Sequence, residues 1–267
     1  MFKSYWGMEI NPFDKSFNIK NRFKSEDFVQ AESRLEHLKN IKGIGLFTGL
    51  SGVGKTYLLR YFSNSLNISL FKPVYIPLST VTVLEFYKQL AYGLDLEVYH
   101  KKIDMFRSIQ ERIVNLSKDK KITPVIMIDE SQHLKTEILN DFKILFNFEM
   151  DSKNYAIVIL SGQPTLNHIL SKQVHECLKQ RIVINYNFIG ISKQETIDYI
   201  ATRLALAGVH NPIFNPSAIE AIYSCSNASI RKLNSIIEKC LVLGYQQKVD
   251  LIDTEIVMSA QNEIELV

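Results

Sequence analysis

The stretch that decides the fold is Gly49-Leu50-Ser51-Gly52-Val53-Gly54-Lys55-Thr56. It matches the phosphate-binding pattern in which a glycine and four variable residues precede Gly-Lys and then Ser or Thr. An apolar run at residues 43–48 precedes it and a helical pattern at residues 55–66 follows it. Because the pattern requires a strand before it and a helix after it, we predict a nucleotide-binding loop here. A glycine-rich turn that happens to precede Lys-Thr is the alternative.

Each residue type in this loop has a physical task. Glycines let the backbone curl so that its N–H groups face phosphate oxygens, and the following helix adds the positive end of its dipole. Lys55 is expected to reach the β and γ phosphates of ATP, and the Thr56 hydroxyl is expected to ligate Mg²⁺. The predicted nucleotide-binding residues of the loop are Gly49, Ser51, Gly52, Val53, Gly54, Lys55 and Thr56.

A second motif, Val125-Ile126-Met127-Ile128-Asp129-Glu130, is an apolar strand that ends in two carboxylates, as Walker B strands do. In an open parallel sheet, ligands bind at the carboxyl ends of the strands. Asp129 is therefore predicted to hold Mg²⁺, through water, and Glu130 to orient and deprotonate the attacking water. Acidic pairs at strand ends are common, but the pair combined with the phosphate loop favours ATP hydrolysis.

Three further positions have both a functional and an ordinary structural interpretation. Gln163 follows the next predicted strand and could fix the water beside the γ-phosphate. Ser161 is the alternative for that role. The non-functional interpretation of this segment is an ordinary strand-to-helix turn. Arg181, before the last strand, is either a partner for a helix C-terminus or an arginine supplied to a neighbouring subunit. Arg231, near a helix start, is by itself an ordinary surface arginine.

The composition limits the class of protein. The 267 residues are 46% hydrophobic and carry a formal net charge of +3, which allows an α/β core with a smaller second domain and does not by itself indicate nucleic-acid binding. No apolar run is long enough to span a bilayer, and no secretory signal is visible, so we expect a soluble, cytoplasmic protein with no membrane partner. Cys177, Cys225 and Cys240 lack metal-ligand spacing and are expected to be reduced core residues.

Hydrophobic patterns divide the chain near residues 188–191. Strands alternate with helices before this point, which favours a parallel sheet covered by helices on both faces, and only helical patterns follow it. Strands are predicted at residues 43–48, 73–78, 124–129, 155–160 and 182–186, and helices between them at 55–66, 81–92, 101–116 and 134–149. The predicted domains are an irregular segment at 1–24, an α/β domain at 25–189 and a helical domain at 190–267.

These motifs in this order resemble the AAA+ ATPases, and in particular the group of the secretion protein ExeA and the transposition proteins TniB and TnsC. Segments that resemble the group's own motifs are Tyr5-Trp6-Gly7-Met8-Glu9-Ile10-Asn11-Pro12-Phe13, Ser161-Gly162-Gln163-Pro164-Thr165-Leu166 and Leu178-Lys179-Gln180-Arg181-Ile182. The resemblance covers nearly the whole chain. It implies a P-loop NTPase parallel sheet sandwiched by helices and followed by a small all-helical AAA+ lid domain.

The resemblance also implies roles for individual residues. Gln163 would be the sensor beside the γ-phosphate, Arg181 an arginine finger, and Arg231 a second sensor in the lid that touches the nucleotide. One departure stands out, because the lid helix of the family usually opens with Gly-x-Pro-Arg and this chain has Ala228-Ser229-Ile230-Arg231. The start of this helix is therefore expected to be set differently.

The resemblance leaves two functions open. ExeA-type ATPases carry a membrane segment and a wall-binding domain after the ATPase core; their absence before Val267 favours a homo-oligomer that assembles on double-stranded DNA and recruits or activates a transposase. The alternative is a cytoplasmic ATPase switch for another protein machine, without DNA. Candidate contacts to the DNA backbone are Lys88, Lys101, Lys102, Lys118, Lys120 and Lys121, although solvated lysines have the same pattern.

Overall fold

The computed structural model describes residues 2–14, 23–77, 80–150 and 152–265. Within these residues five strands form one sheet: β1 (Gly43–Thr48), β2 (Phe71–Ile76), β3 (Thr123–Ile128), β4 (Ile157–Gly162) and β5 (Ile182–Asn187). Their order is β2-β3-β4-β1-β5, and all neighbouring strands are parallel. Parallel strands need crossover connections, which are usually helical, so this sheet follows from the strand and helix alternation. The predicted α/β fold class is confirmed.

The helices of the described residues follow the predicted alternation closely. They are α1 (Phe2–Tyr5), α2 (Glu26–Ile41), α3 (Lys55–Ser65), α4 (Val83–Gly93), α5 (Lys102–Val114), α6 (Thr136–Leu145), α7 (Thr165–Leu170), α8 (Glu176–Lys179), α9 (Lys193–Leu206), α10 (Pro216–Ser226), α11 (Ile230–Gln247) and α12 (Thr254–Glu265). The Ser192 side chain caps α9 in a capping box with Glu195, and Asn215 caps α10. Both caps satisfy backbone donors that a helix start leaves open.

Three predicted boundaries needed correction. The strand predicted at 155–160 is β4, which starts later because its register pairs Gly43 with Ile157. The helix predicted at 134–149 is the shorter α6, which ends at Leu145; Phe148 instead forms an antiparallel bridge with Lys153, and Glu149 and Met150 between them have positive φ. β2 includes Pro73 at the edge of the sheet, where a missing N–H is tolerated, and residue 78 of that predicted strand lies outside the described residues.

The chain forms two compact units, each with its own core. The sheet unit comprises Gln30–Gly49 and Lys55–Phe188, and the helical unit comprises Met1–Val29, Leu50–Gly54 and Ile189–Val267. Apolar residues of the strands and of α4 to α6 fill the core of the sheet unit. The core of the helical unit lies among α9 to α12.

The N-terminal segment packs within the helical unit. Trp6 and Phe13 are buried in its core, and the Trp6 indole nitrogen donates a hydrogen bond to the carbonyl of Leu241 at 2.9 Å. Gly244 makes this packing possible, because a Cβ there would come within 2.8 Å of the Trp6 ring. The aromatic residues of the opening segment are therefore core residues of the helices that follow in sequence much later.

Candidate active site

The carboxyl end of the sheet carries the predicted catalytic carboxylates. β3 lies between β2 and β4, with Ile128 beside Ile76 and Leu160. Asp129 follows β3 directly and is 4% exposed. Because a buried charge is costly unless hydrogen bonds and counter-charges stabilise it, the partners of this carboxylate decide what the site can do.

Hydrogen-bond donors of the described residues surround the Asp129 carboxylate. Thr56 Oγ1 donates to Oδ2 at 2.6 Å, and the Tyr75 hydroxyl donates to the same oxygen at 3.3 Å. Ser161 Oγ and the Glu130 backbone N–H each donate to Oδ1 at 3.0 Å. The result is a buried carboxylate beside the first-turn hydroxyl of α3, and oxygen groups of this kind are the hard ligands that Mg²⁺ prefers.

Tyr75 is a site residue that the sequence did not reveal. Burial, followed by the charge and hydrogen bond of Asp129, raises the pKa of its phenol to about 12. The phenol therefore stays protonated at neutral pH and donates to the carboxylate. An aromatic residue in a strand is ordinary strand composition, so no local signal marked this position.

Lys55 begins α3 and is 7% exposed. Its Nζ donates a hydrogen bond to the Gly49 carbonyl at 2.7 Å, so the ammonium group folds back to the first residue of the phosphate loop. A buried ammonium group held at this point has the charge and position that an anionic ligand of the loop requires.

The Walker B turn is organised by Gln132. Glu130 has φ +49°, an uncommon left-handed conformation for a residue with a side chain, and it opens the turn Ser131–His133. Gln132 Nε2 donates to Glu130 Oε2 at 2.6 Å, while Gln132 Oε1 accepts from the Gln163 backbone N–H at 2.9 Å. Gln132 thus joins the glutamate to the turn after β4. No sequence pattern marks Gln132 as a site residue, although it lies two positions after Glu130.

The two candidates for the polar sensor have different surroundings. Ser161 lies inside β4, is fully buried and is hydrogen-bonded to Asp129. Gln163 is the first residue after β4 and is partly exposed, with its backbone held by Gln132. Both lie at the end of the sheet that carries Asp129, but of the two only the side chain of Ser161 donates a hydrogen bond to the buried carboxylate.

Arg181 lies at the opposite end of the sheet. β5 runs parallel to β1 with Ile182 beside Ile44, so Arg181 is level with the start of β1, whereas the phosphate loop follows its end. β1 has 6 residues, which span about 20 Å at a rise of about 3.3 Å per residue. The guanidinium group donates a hydrogen bond to the Lys143 carbonyl. The fold therefore does not bring Arg181 to the phosphate loop of its own chain.

Loop residues Leu50–Gly54 cluster with the helical unit. Gly52 and Gly54 have φ +83° and +110°, conformations that glycine adopts without a steric penalty. The predicted lid arginine contacts this segment: the Arg231 backbone N–H donates to the Gly52 carbonyl, and its guanidinium donates to Ser51 Oγ, each at 3.2 Å. Arg231 is thus brought to the loop itself.

Two of the lysines considered for DNA contact are already paired with acids. Lys102 forms an ion pair with Asp141 at 2.6 Å, and Lys118 pairs with Glu149. An ion-paired lysine would have to exchange its carboxylate partner for a phosphate, so these two residues offer less charge to DNA than the sequence suggests.

The cysteine prediction holds for part of the set. Cys240 is buried, Cys225 is partly buried and all three thiols are free, but Cys177 is exposed. The reason is helical phase, because the buried positions around α8 are His175 and Leu178, which leaves Cys177 on the outer face. Cys177 is therefore not a core residue.

The described residues contain neither a membrane-spanning helix nor a cluster of metal-binding side chains. None of their helices is long and apolar enough to cross a bilayer. Nor do these residues contain a group of three or more His, Cys, Asp or Glu side chains that could hold a metal ion.

Comparison with known proteins places this geometry in context. Residues 39–170 match the family model described as an AAA domain. The chain is 30% identical over 250 residues to "General secretion pathway protein A" of Aeromonas hydrophila, in an alignment that covers 92% of this chain and 45% of that protein. The chain thus spans about half the length of this curated relative.

Solved structures share the fold at low sequence identity. Cdc6p from Pyrobaculum aerophilum superimposes with a TM-score of 0.68 at 15% identity, covering 94% of this chain and 70% of that one. The Aeropyrum pernix ORC1 protein in complex with DNA gives 0.64 at 16% identity, with 95% and 69% covered. The Thermotoga maritima RuvB Holliday junction branch migration motor gives 0.58 at 18% identity, with 90% and 69% covered. The chain thus shares the parallel-sheet P-loop NTPase fold of these structures, and its residues 39–170 match an AAA domain.

Proposed function

We propose that this chain hydrolyses ATP at the cluster formed by the start of α3 and the ends of β3 and β4. One observation carries the proposal: the Thr56 hydroxyl lies 2.6 Å from the Asp129 carboxylate. In P-loop enzymes these two oxygen groups hold a nucleotide-bound Mg²⁺, and Mg²⁺ neutralises charge on the phosphates when bound. Thr56 would ligate it directly and Asp129 through water.

The chemistry assigned to the remaining residues follows from their positions. Lys55 binds the β and γ phosphates. Glu130 accepts a proton from water as the water oxygen bonds to the γ-phosphorus and the bond to the β–γ bridging oxygen breaks, leaving ADP and phosphate. The Gln132 amide keeps the Glu130 carboxylate oriented. We assign the sensor role to Gln163, since the Ser161 hydroxyl is engaged with the buried carboxylate.

We also propose that the active enzyme is a homo-oligomer in which Arg181 acts on the nucleotide of a neighbouring copy. Arg181 lies level with the start of β1, a strand of about 20 Å whose other end leads into the phosphate loop, so it is not placed to neutralise charge at the loop of its own chain. Placed against the γ-phosphate of a neighbour it stabilises the transition state, and such an arginine contributes about 10³-fold or more in rate.

Two partners are compatible with such an oligomer. The first is double-stranded DNA, on which the oligomer would assemble and recruit or activate a transposase; Lys88, Lys101, Lys120 and Lys121 are the remaining candidate backbone contacts. The second is a protein machine of the secretion type, favoured by the identity of 30% to a secretion pathway protein over most of this chain. In both cases ATP would set the assembly state and hydrolysis would reset it.

Steady-state hydrolysis by the purified chain tests both parts of this proposal. Activity is measured with and without random-sequence duplex DNA, at low and moderate salt, with the Lys55→Ala variant as the control for contaminating ATPases. Stimulation that fades with salt supports assembly on DNA, because phosphate contacts release counterions. Hydrolysis that ignores DNA favours a protein partner. No hydrolysis beyond the Lys55→Ala control, with or without DNA, would refute the enzymatic proposal.

A further inference from the structure

The first turn of α11 forms a direct hydrogen-bonded contact with the phosphate loop. Ser229 Oγ donates to the Ser51 carbonyl at 3.1 Å, and the Arg231 backbone N–H donates to the Gly52 carbonyl at 3.2 Å. The loop residues and the start of α11 belong to the same compact unit, the helical unit. Two consecutive loop carbonyls are thus bound by one helix start, by the residue at the variable position of Gly-x-Pro-Arg and by the arginine of that pattern.

Ser229 has two roles in this contact. It is the N-cap of α11, where its Oγ accepts from the Lys232 backbone N–H at 3.4 Å, and the same hydroxyl donates its proton to Ser51. A hydroxyl has one donor and two acceptor positions, so capping and loop binding do not compete. The residue is 5% exposed, so water cannot easily replace it as the donor.

The fit between loop and helix is close. A Cβ on Gly52 would lie 2.3 Å from Ser229 Oγ and 2.8 Å from Arg231 Cβ. Contacts this short do not occur between real side chains, so any larger residue at this position would push the loop away from α11. Glycine at this point of the motif therefore serves the loop–helix contact as well as the positive φ of the loop.

The direction of the two carbonyls has a consequence for ligand binding. In a planar trans peptide, the C=O of one residue and the N–H of the next point in opposite directions. Because the carbonyls of Ser51 and Gly52 point toward α11, the N–H groups of Gly52 and Val53 point away from it. These are two of the N–H groups that the phosphate loop offers to an anion.

We infer that Ser229, together with the backbone N–H of Arg231, holds the phosphate loop in its anion-binding conformation before nucleotide arrives. Ser229 is then a positioning residue that acts through the loop and not on the γ-phosphate. The affinities for ADP and for ATP should depend on Ser229 equally, because the loop N–H groups bind phosphates that both nucleotides have. A sensor arginine that contacts the γ-phosphate would instead affect ATP alone. The inference rests on the proposed nucleotide site.

The test is the affinity of Ser229→Ala for ADP and for ATP, measured by isothermal titration without hydrolysis. We expect both dissociation constants to rise by about fivefold, the effect of one lost hydrogen bond, while kcat at saturating ATP is unchanged. Ser229→Thr, which keeps the hydroxyl, should restore both affinities. Ser192→Ala is the matched control, because Ser192 caps α9 in the same unit.

Three outcomes would overturn the inference. They are unchanged affinity in Ser229→Ala, loss for ATP alone, and an equal loss in Ser192→Ala, which would reduce the effect to general weakening of the helical unit. Circular dichroism and the thermal midpoint of each variant show whether the helices are intact. Failure of the wild-type chain to bind any nucleotide would refute the proposed function itself, and is therefore distinguishable from failure of this inference.

Discussion

Glu130 combines an uncommon backbone conformation with a tightly held side chain. Its φ of +49° has a steric cost, of order 1 kcal/mol or more for a residue with a Cβ, and the surrounding hydrogen bonds must offset it. The carboxylate is held by the Gln132 amide, and the backbone N–H is held by Asp129. Such strain at a strand end is a common feature of catalytic residues.

The variant Glu130→Gln should bind ATP with the affinity of the wild-type chain but hydrolyse it at least about 100-fold more slowly, because the amide has the same shape and cannot accept the proton. Binding is measured by titration and turnover by phosphate release. Turnover close to that of the wild type would show that another group is the base.

Gln132→Ala should lower kcat by about tenfold with little change in ATP affinity, because Glu130 loses the amide that orients it. The matched control is Gln110→Ala, since the amide of Gln110 donates only to the carbonyls of Ile144 and Leu145. A weaker affinity with unchanged kcat would mean that Gln132 serves binding. An equal loss in both variants would mean that the effect is general.

At the scale of elements, the turn that leads into α8 buries a histidine. His175 is fully buried, and neither ring nitrogen has a hydrogen-bond partner among the described residues. Burial, and then the positive charges of Lys143 and Lys172, lower the pKa of the imidazole. The folded state therefore favours the neutral imidazole over the protonated one more strongly than the unfolded chain does. Arg181 follows α8 after one residue, so the packing of this helix bears on the position of the proposed finger.

Acid should therefore destabilise the sheet unit through His175. Below about pH 6.5 the unfolded chain binds a proton that the folded chain does not, so the free energy of unfolding falls as pH drops, by at most about 1.4 kcal/mol per pH unit. The contribution is fully present above that pH. Urea midpoints at about pH 7.5 and about pH 5.5 measure it.

Two variants isolate this contribution. The variant His175→Phe keeps a ring in the buried position and should lose much of the acid sensitivity of the free energy of unfolding. The control variant His100→Phe, at an exposed position, should keep the acid sensitivity of the wild-type chain. An equal pH dependence in wild type and His175→Phe would show that other groups are responsible.

At the scale of the whole molecule, the distance of Arg181 from its own phosphate loop predicts complementation between chains. Arg181→Ala should bind ATP and lose about 10³-fold in hydrolysis, and Lys55→Ala should bind no ATP. A mixture of the two should recover part of the activity, because Lys55→Ala still supplies Arg181 to a neighbour that holds ATP.

Phosphate release from the mixture, compared with each variant alone, is the measurement, and light scattering reports whether mixed oligomers form. Mixed oligomers without any recovery would contradict action between chains. So would full activity of Arg181→Ala, or of the wild-type chain as an isolated monomer.

In the helical unit, local sequence patterns predict some features and not others. The phosphate loop and the capping box of Ser192 with Glu195 at the start of α9 can be read from the sequence, because a few neighbouring residues decide them. The packing of residues 2–14 against α11 cannot be read from the sequence, because Trp6 contacts Leu241 and Gly244 only after the helices have packed. A segment without periodicity reveals neither its partner nor its burial from sequence alone.

The sequence by itself determined the motifs, the succession of strands, helices and loops along the chain, and the α/β class, since these depend on residue type and short-range spacing. Only the tertiary structure decided which distant side chains meet: within the sheet unit Tyr75 and Ser161 around Asp129, and Gln132 between Glu130 and Gln163; within the helical unit Ser229 on the carbonyl of Ser51. Hydrogen-bond partners across strands and between loop and helix depend on register and packing. No local pattern encodes these, because they are fixed by contacts between segments far apart in sequence.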